Sequence, residues 1–395
     1  MDEKIKPSEV HRIAGLELNL LNYVRALPRA TFEGARLETG TPIFDPNGEL
    51  LFYRVPIVGP DGVQAGYADI AVHTVFGAPL LAVAPTAVWD EQALVGEARE
   101  ALARQKTTRK AELSYDEIRF VSYSYPKLAV AFFHKGKEVS MLELKSWLEV
   151  PPSNLKERKP MEPGNFERWS LIDEMPQDRK RRNLERFHER LEHLNGPELR
   201  DIDFSVISTT KLASVIPILR LTDTEELHYS TRQSDHHTCY ELRGQETSVW
   251  CVAASTQMLL DFYRYEYTQS RIATQLGLGT LQNPNGLPYA RDNDVAVALN
   301  AMSSGALTAT MLTTPPFSTY CDEIRANRPL ISFIPGHSRT VAGYTESLLV
   351  FLGLNGFRGL LVYDPWPPNA GVITRWENFD TQTYRRAFTA HVTTI

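Results

Sequence analysis

Apolar and polar residues alternate regularly in the first part of the chain. In residues 39–73, "TGTPIFDPNGELLFYRVPIVGPDGVQAGYADIAVH", apolar runs are separated by "DPNG" and "GPDG", which favour tight turns. This pattern predicts an antiparallel meander. Residues 90–105 are predicted to form a helix because their apolar side chains share one face: Leu94, Val95, Ala98, Ala101 and Leu102. With the strand-like runs that follow, the pattern predicts an α+β domain over residues 1–150.

A proline-rich and then charged stretch follows, and we interpret residues 151–235 as a linker. Within it, "QDRKRRNLERFHERLEHLNG" predicts a surface helix that ends at Gly196 and carries a narrow apolar stripe. His188 and His193 lie five residues apart, whereas a zinc-binding helix needs two histidines four apart. The linker is therefore not expected to bind a metal.

One cysteine stands at the predicted start of an apolar helix. Apolar residues follow Cys251 at three- and four-residue steps, namely Ala254, Met258, Leu259 and Phe262. Unpaired N–H groups and the positive end of the helix dipole favour the nucleophilic thiolate at this position. Cysteine is also commonly buried, so Cys251 taken alone is better explained by packing beside Trp250.

A nucleophilic cysteine needs a base and a group that orients the base. Much later in the chain, His337 and Asp364 are candidates for these two roles. His337 follows the apolar run of "RPLISFIPGH", at the edge of a predicted strand. Asp364 ends the predicted strand "GLLVYD", directly before a proline. If the two strands are neighbours, the carboxylate can hold the imidazole by a hydrogen bond. Asn355, in the intervening turn, is an alternative orienting residue.

Gln245 precedes Cys251 by six residues, in the turn that leads into the same helix. A glutamine amide and a helix-terminal N–H can both donate to the oxygen that becomes negative when a thiolate attacks a carbonyl. The sequence therefore predicts an oxyanion hole at Gln245.

The ordered residues Gln245, Cys251, His337 and Asp364 resemble the site of papain-like cysteine peptidases. "QSRIATQLGL", "DVAVALN", "RPLISFIPGH", "TVAGY" and "LLVYDPW" are similar to the compact members, which include the double-glycine leader peptidases. The resemblance covers residues 236–395 and implies a papain-like domain in which the cysteine-bearing helix packs on an antiparallel sheet. It implies Cys251 as nucleophile, His337 as base, Asp364 as orienting group and Gln245 as oxyanion donor.

The sequence differs from papain next to the cysteine, and its amino-terminal part has a resemblance of its own. Papain itself carries tryptophan directly after the cysteine, whereas this chain has Trp250 before it and Val252 after it, which places the chain outside papain proper. The amino-terminal meander is similar to the propeptide-type or cystatin-like domains that precede this peptidase in some bacterial and archaeal proteins. That similarity implies a domain that covers the cleft or presents substrate.

Composition limits which partners, cofactors and cellular location we expect. The chain has 395 residues, 43% of them hydrophobic and 23% charged, and a net charge of −6, so no nucleic-acid partner is expected. Three cysteines without repeated spacing argue against a disulfide framework. No apolar run approaches the ~18 residues of a membrane span, and no secretory signal is recognised, so we expect a cytoplasmic protein. His236, His237 and Cys239 lack a second cluster at zinc spacing, so no metal and no cofactor are expected.

The main prediction is a peptidase that hydrolyses a peptide, protein or amide substrate through a thioester acyl-enzyme. The same residues would serve an acyltransferase or transpeptidase that forms an amide bond. A binding module without activity is a third alternative, and the intact set of four residues argues against it. The oligomeric state is left open by the sequence.

Overall fold

The computed structural model describes residues 5–109, 114–153, 156, 158–200, 202–213, 221–227, 240–349 and 354–393. Within these ranges the fold is α+β, as predicted. One large sheet, antiparallel except for a single pair of strands, runs through both parts of the chain, and helices pack on it.

The strands are β1 Arg36–Leu37, β2 Thr41–Phe44, β3 Leu50–Val58, β4 Gln64–Ala71, β5 Leu80–Pro85, β6 Glu117–Ser124, β7 Lys127–His134, β8 Lys137–Glu143, β9 Leu221–Glu226, β10 Gly279–Thr280, β11 Asn283–Pro284, β12 Leu307–Thr313, β13 Leu330–Ile334, β14 His337–Leu349, β15 Leu354–Asp364, β16 Val372–Asn378 and β17 Arg386–Val392. The main sheet has the order β12-β17-β13-β14-β15-β16-β5-β4-β3-β2-β6-β7-β8. β1 adds to β3 and β9 adds to β14, while β10 and β11 pair separately.

The helices are α1 Pro7–Tyr23, α2 Arg29–Phe32, α3 Glu91–Arg109, α4 Leu171–Glu174, α5 Gln177–Leu194, α6 Pro197–Arg200, α7 Thr209–Ala213, α8 Cys251–Phe262, α9 Gln269–Leu276, α10 Asp294–Met302 and α11 Phe317–Arg325. α3 and α5 confirm the two helices predicted in the amino-terminal half of the chain. No helix among the residues described is both long and apolar enough to cross a membrane.

The predicted meander is confirmed as β2, β3 and β4, which pair antiparallel in sequence order. The tight turns between them hold Gly48 at φ +91° and Gly62 at φ +80°, a region that glycine adopts without a side-chain clash. β2 also pairs with β6 in the one parallel contact of the sheet. The meander thereby becomes the centre of the amino-terminal half of the sheet.

The two halves of the sheet are joined where β16 pairs with β5, with Trp376 opposite Val83. A single hydrophobic cluster extends from Ile5 at the amino terminus to Ala387 on β17. A second cluster lies between α8, α9 and α10 and the strands β12, β13 and β17. The division of the chain at residues 150 and 235 stays a prediction, and these contacts give the two parts a shared core.

Candidate active site

His337 and Asp364 lie side by side because their strands are neighbours. β14 begins at His337, β15 ends at Asp364, and the antiparallel register sets Thr340 opposite Tyr363. His337 Nε2 and Asp364 Oδ1 are 2.6 Å apart. The same carboxylate oxygen accepts the backbone N–H of Trp366 at 2.9 Å, which fixes its position. The imidazole is therefore held by Asp364, the predicted orienting residue.

Cys251 is the first residue of α8, as the apolar pattern predicts. Trp250, just before the helix, is fully buried and donates from Nε1 to the Leu278 carbonyl at 3.0 Å, which anchors the helix start. α8 packs against β13 and β14, so its first turn lies close to His337. Cys251 is only 2% exposed. Among the residues described, His337 Nδ1 has no hydrogen-bond partner, so it is the ring atom available to accept a proton from the thiol.

The thiol and the imidazole have pKa values shifted toward the charged forms. Burial raises the pKa of Cys251, but the hydrogen bond and charge of His337, the charge of Lys127 and the N–H of Ser338 outweigh burial and leave this pKa lowered. Burial likewise lowers the pKa of His337, and its contacts with Asp364 and Cys251 outweigh that effect and leave it raised. These directions favour a thiolate and imidazolium pair.

A second buried cysteine, Cys321 on α11, provides a contrast. Burial raises the pKa of its thiol to about 12. Both cysteines are nearly inaccessible to solvent, so burial alone does not separate them. The difference in thiol pKa between Cys251 and Cys321 comes from the charged neighbours of Cys251. Such neighbours are expected around a reactive cysteine.

Gln245 lies in the turn before α8, and its backbone ties this turn to the segment after Asp364. Its N–H donates to the Pro365 carbonyl at 2.9 Å, and its carbonyl accepts from the N–H of Asn369 at 2.8 Å. Its side chain is 1% exposed, and Nε2 donates to the Thr247 carbonyl at 2.7 Å. A carboxamide has two N–H groups, so one remains for another acceptor. The role of Gln245 as oxyanion donor stays a prediction.

A cavity of about 20 Å³ adjoins the thiol. It lies between Cys251 and His337 on one side and Asn165 and Leu287 on the other. A volume of this size admits about one water molecule and excludes a peptide. In this structure the candidate nucleophile, 2% exposed, is therefore nearly inaccessible.

Residues 163–165, which we call the covering segment, lie beside the cavity, and Asn165 lines it. A Cβ built on Gly336 would lie 3.1 Å from Pro163 Cγ, and Gly336 has φ +67°, so a larger residue here would be crowded by the segment and strained in its backbone. On the other side, a Cβ built on Gly286 would lie 1.7 Å from Asn165 Nδ2. The covering segment is thus wedged between two glycines that flank the site.

Glu143, a fully buried residue at the end of β8, connects the amino-terminal part to both sides of the site. Its Oε1 accepts from Tyr123 Oη at 2.6 Å and from Trp366 Nε1 at 3.2 Å, and its Oε2 accepts from Ser248 Oγ. Ser248 precedes Cys251 by three residues, and Trp366 follows the orienting aspartate by two. The carboxylate therefore links the loops that carry the nucleophile and the orienting group.

A buried ion pair lies beneath the base. Arg339, two residues after His337 on β14, contacts both oxygens of Glu377 on β16, with Nη2 and Oε1 2.7 Å apart. The two side chains are 0% and 7% exposed. Tyr384 also donates to Glu377 Oε1 at 2.7 Å. This pair spans β15 and fixes the strands on either side of Asp364.

Three neighbours of the site were not expected from the sequence: Lys127, Glu143 and Asn165. Lys127 opens the apolar strand "KLAVAFFH", and Glu143 ends the apolar half of "KEVSMLE". A charged residue next to an apolar run can signal a buried partner. Asn165 lies in the stretch interpreted as a linker, and its local sequence carries no such signal.

The histidines and cysteine considered as metal ligands, His236, His237 and Cys239, lie outside the described residues. Across the part of the chain that is described, no group of three or more His, Cys, Asp or Glu side chains could hold a metal ion.

Residues 231–390, less than half of the chain, match the model of the Peptidase_C39 like family. This match confirms, for those residues, the predicted resemblance to papain-like cysteine peptidases. No curated protein matches the chain.

Two solved structures are similar to part of the chain. One is a double glycine motif protease from an AMS/PCAT transporter in complex with the leader peptide, at 17% identity and a TM-score of 0.27, covering 39% of this chain and 91% of that one. The other is UfSP from C. elegans, at 11% identity and a TM-score of 0.24, covering 47% of this chain and 37% of that one. The chain thus spans less than half the length of UfSP.

Proposed function

We propose that this chain is a cysteine peptidase that hydrolyses a peptide or amide bond through a thioester acyl-enzyme at Cys251. One observation carries the proposal: Cys251, His337 and Asp364 meet at three element ends, with the thiol pKa lowered and the imidazole pKa raised. This arrangement of nucleophile, base and orienting group is the one that acyl transfer requires.

In the first half of the reaction, Cys251 gives its proton to Nδ1 of His337 and the sulfur attacks the substrate carbonyl carbon. A C–S bond forms, and the carbonyl electron pair moves to the oxygen. When the tetrahedral intermediate collapses, the C–N bond breaks, and the amine leaves with the proton from His337. The product that remains on the enzyme is a thioester.

In the second half, His337 takes a proton from water while the water oxygen attacks the thioester carbon. The C–S bond then breaks, and His337 returns the proton to the sulfur, which releases a carboxylic acid. Asp364 keeps Nε2 of His337 hydrogen-bonded throughout and stabilises the imidazolium in both halves. The second N–H of Gln245 and the backbone N–H of Cys251 are proposed to donate to the oxyanion.

We further propose that the covering segment controls substrate entry. The cavity of about 20 Å³ at the thiol does not admit a peptide, so the covering segment moves before a substrate binds. The substrate is proposed to be a peptide or protein chain.

The test uses a peptide library whose products are analysed by mass spectrometry. Wild-type protein and Cys321→Ala are expected to cleave the same peptides, while Cys251→Ala and His337→Ala are expected to cleave none. Cys321 is a matched control because it is also buried but has a raised thiol pKa. Undiminished cleavage by Cys251→Ala would remove the nucleophile assignment. An added amine that appears in the products would instead identify the chain as an acyltransferase or transpeptidase.

A further inference from the structure

A lysine from the amino-terminal part lies beside the candidate site. Lys127, the first residue of β7, is 1% exposed, and its Nζ donates to the Gly336 carbonyl at 3.1 Å and to the Asn165 carbonyl. Gly336 directly precedes His337, and Asn165 lines the cavity at the thiol. The ammonium therefore joins the turn that carries the base to the covering segment.

The Lys127 ammonium is buried without a carboxylate in direct contact. Removal of an ammonium from water is unfavourable by several kcal/mol unless nearby groups compensate. Both hydrogen bonds of Nζ are to carbonyl oxygens, and within the described part of the chain no carboxylate forms an ion pair with it. Negative charges that do not contact Nζ directly therefore contribute to the compensation.

The groups that face the ammonium come from several elements. The titratable groups around it are Cys251 on α8, Glu143 on β8, Asp364 on β15, Glu167 after the covering segment, and Tyr123 on β6, whose ring centroid is 5.5 Å from Nζ. Burial lowers the pKa of Lys127, and among the groups that oppose this effect Cys251 acts most strongly. The charge of Lys127 in turn lowers the pKa of the thiol.

We propose that Lys127 is a positioning residue of the peptidase site, a buried cation that holds the Gly336 carbonyl beside His337 and balances the charge of ionised Cys251. The inference rests on the function proposed above. It places two cations near the sulfur, the imidazolium of His337 and the ammonium of Lys127. The amino-terminal part then contributes to the chemistry in addition to covering the site.

The test is a pH titration of the thiolate by its ultraviolet absorbance. Each protein is compared with the same protein carrying Cys251→Ala, so that the other titrating groups cancel. Lys127→Met is expected to raise the thiolate midpoint by about one pH unit, a tenfold loss of thiolate at a given pH. Lys127→Arg is expected to shift the midpoint by less than half as much, because it keeps the charge. Lys137→Met, on the exposed start of β8, is the matched control and is expected to shift nothing.

A reciprocal measurement needs no substitution at Lys127. Since coupling between two sites is mutual, replacement of Cys251 by alanine is expected to make Lys127 lose its proton at lower pH than in the wild type. Selectively ¹³C-labelled lysine and nuclear magnetic resonance give this midpoint. If Lys127→Met does not fold, the comparison of the Lys127 midpoint between wild type and Cys251→Ala tests the role of Lys127 by itself.

The outcomes separate this inference from the proposed function. A low thiolate midpoint in the wild type that stays unchanged in Lys127→Met, or a lysine midpoint that stays unchanged in Cys251→Ala, overturns the role of Lys127 and leaves the nucleophile assignment standing. A wild-type midpoint at or above the ~8.5 of an ordinary cysteine overturns both.

Discussion

Substitution of Gly286 by alanine is expected to loosen the covering segment and to speed the reaction of Cys251 with small electrophiles. Gly286 is not in the left-handed φ region, so alanine fits its local backbone. The new Cβ would lie 2.6 Å from Asn165 Cγ and 2.8 Å from Asn165 Cβ. Because the position of Asn165 Cβ is set by its own backbone, side-chain rotation does not relieve the clash. The backbone of residues 163–165 or of the turn at Gly286 has to shift instead.

The size of the effect follows from the energy of overpacking. An added methyl group in a well-packed site typically costs about 1–3 kcal/mol. If the covering segment relieves this strain by moving away, the ratio of open to closed protein rises by about 5-fold to 150-fold. Alkylation of Cys251 that is limited by opening is expected to accelerate within this range. Asn165→Gly, which removes the wedge itself, is expected to accelerate alkylation as well.

The assay is the rate at which a small chloroacetamide labels Cys251, followed by peptide mass spectrometry. Gly96→Ala on α3 is the matched control, because a Cβ at Gly96 has no atom within 4 Å. Cys321 reports on unfolding, since its buried thiol is expected to react only when the fold is lost. The double variant Gly286→Ala with Asn165→Gly is expected to react as fast as Asn165→Gly alone. Equal labelling rates in Gly286→Ala and Gly96→Ala would refute control of access by the covering segment.

Two further substitutions test the groups around the base. Asp364→Asn keeps the side-chain shape but removes the charge that raises the pKa of His337. The alkaline limb of kcat/KM against pH is therefore expected to move to lower pH, with a loss of about 10-fold to 100-fold in kcat/KM. An alkaline limb that does not move contradicts this prediction. Arg339→Met leaves the buried Glu377 carboxylate without its cationic partner and is expected to lower the free energy of unfolding, measured in urea, by about 3–5 kcal/mol. Most of this loss is expected to be regained in the double variant Arg339→Met with Glu377→Leu. Arg182→Met, which breaks the exposed pair with Asp178, is its control and is expected to change the free energy of unfolding far less. A similar loss in Arg339→Met and Arg182→Met contradicts the argument.

Local sequence was sufficient for the parts of the fold that depend on local contacts. The helix that starts at Cys251 and the meander β2–β4 follow from apolar periodicity and turn residues, and the structure confirms both. The placement of His337 and Asp364 at strand ends was also readable, because apolar runs stop at these residues. Their contact depended on one further condition, the pairing of β14 with β15.

The rest of the site depends on contacts between residues far apart in the chain. Lys127 meets Gly336 across 209 positions, and Glu143 meets Trp366 across 223. A charged residue in an apolar strand indicates that a partner exists, but the strand's own sequence does not say which residue it is. The spacing of six residues between Gln245 and Cys251 predicted that Gln245 lies in the turn before α8. The direction of its side-chain amide depends instead on the loop around Thr247, which the spacing does not specify.

The carboxy-terminal part satisfies several of its buried polar groups only through the amino-terminal part. Trp376 Nε1 on β16 donates to the Ala26 carbonyl, and Asn378 Nδ2 donates to the Leu80 carbonyl at 2.8 Å. A buried donor left without a partner costs about 1–3 kcal/mol, so separation of the two parts would be unfavourable at several points at once. Movement of residues 163–165 breaks far fewer contacts than this separation. Substrate entry is therefore better explained by local opening of the covering segment than by departure of the whole amino-terminal part.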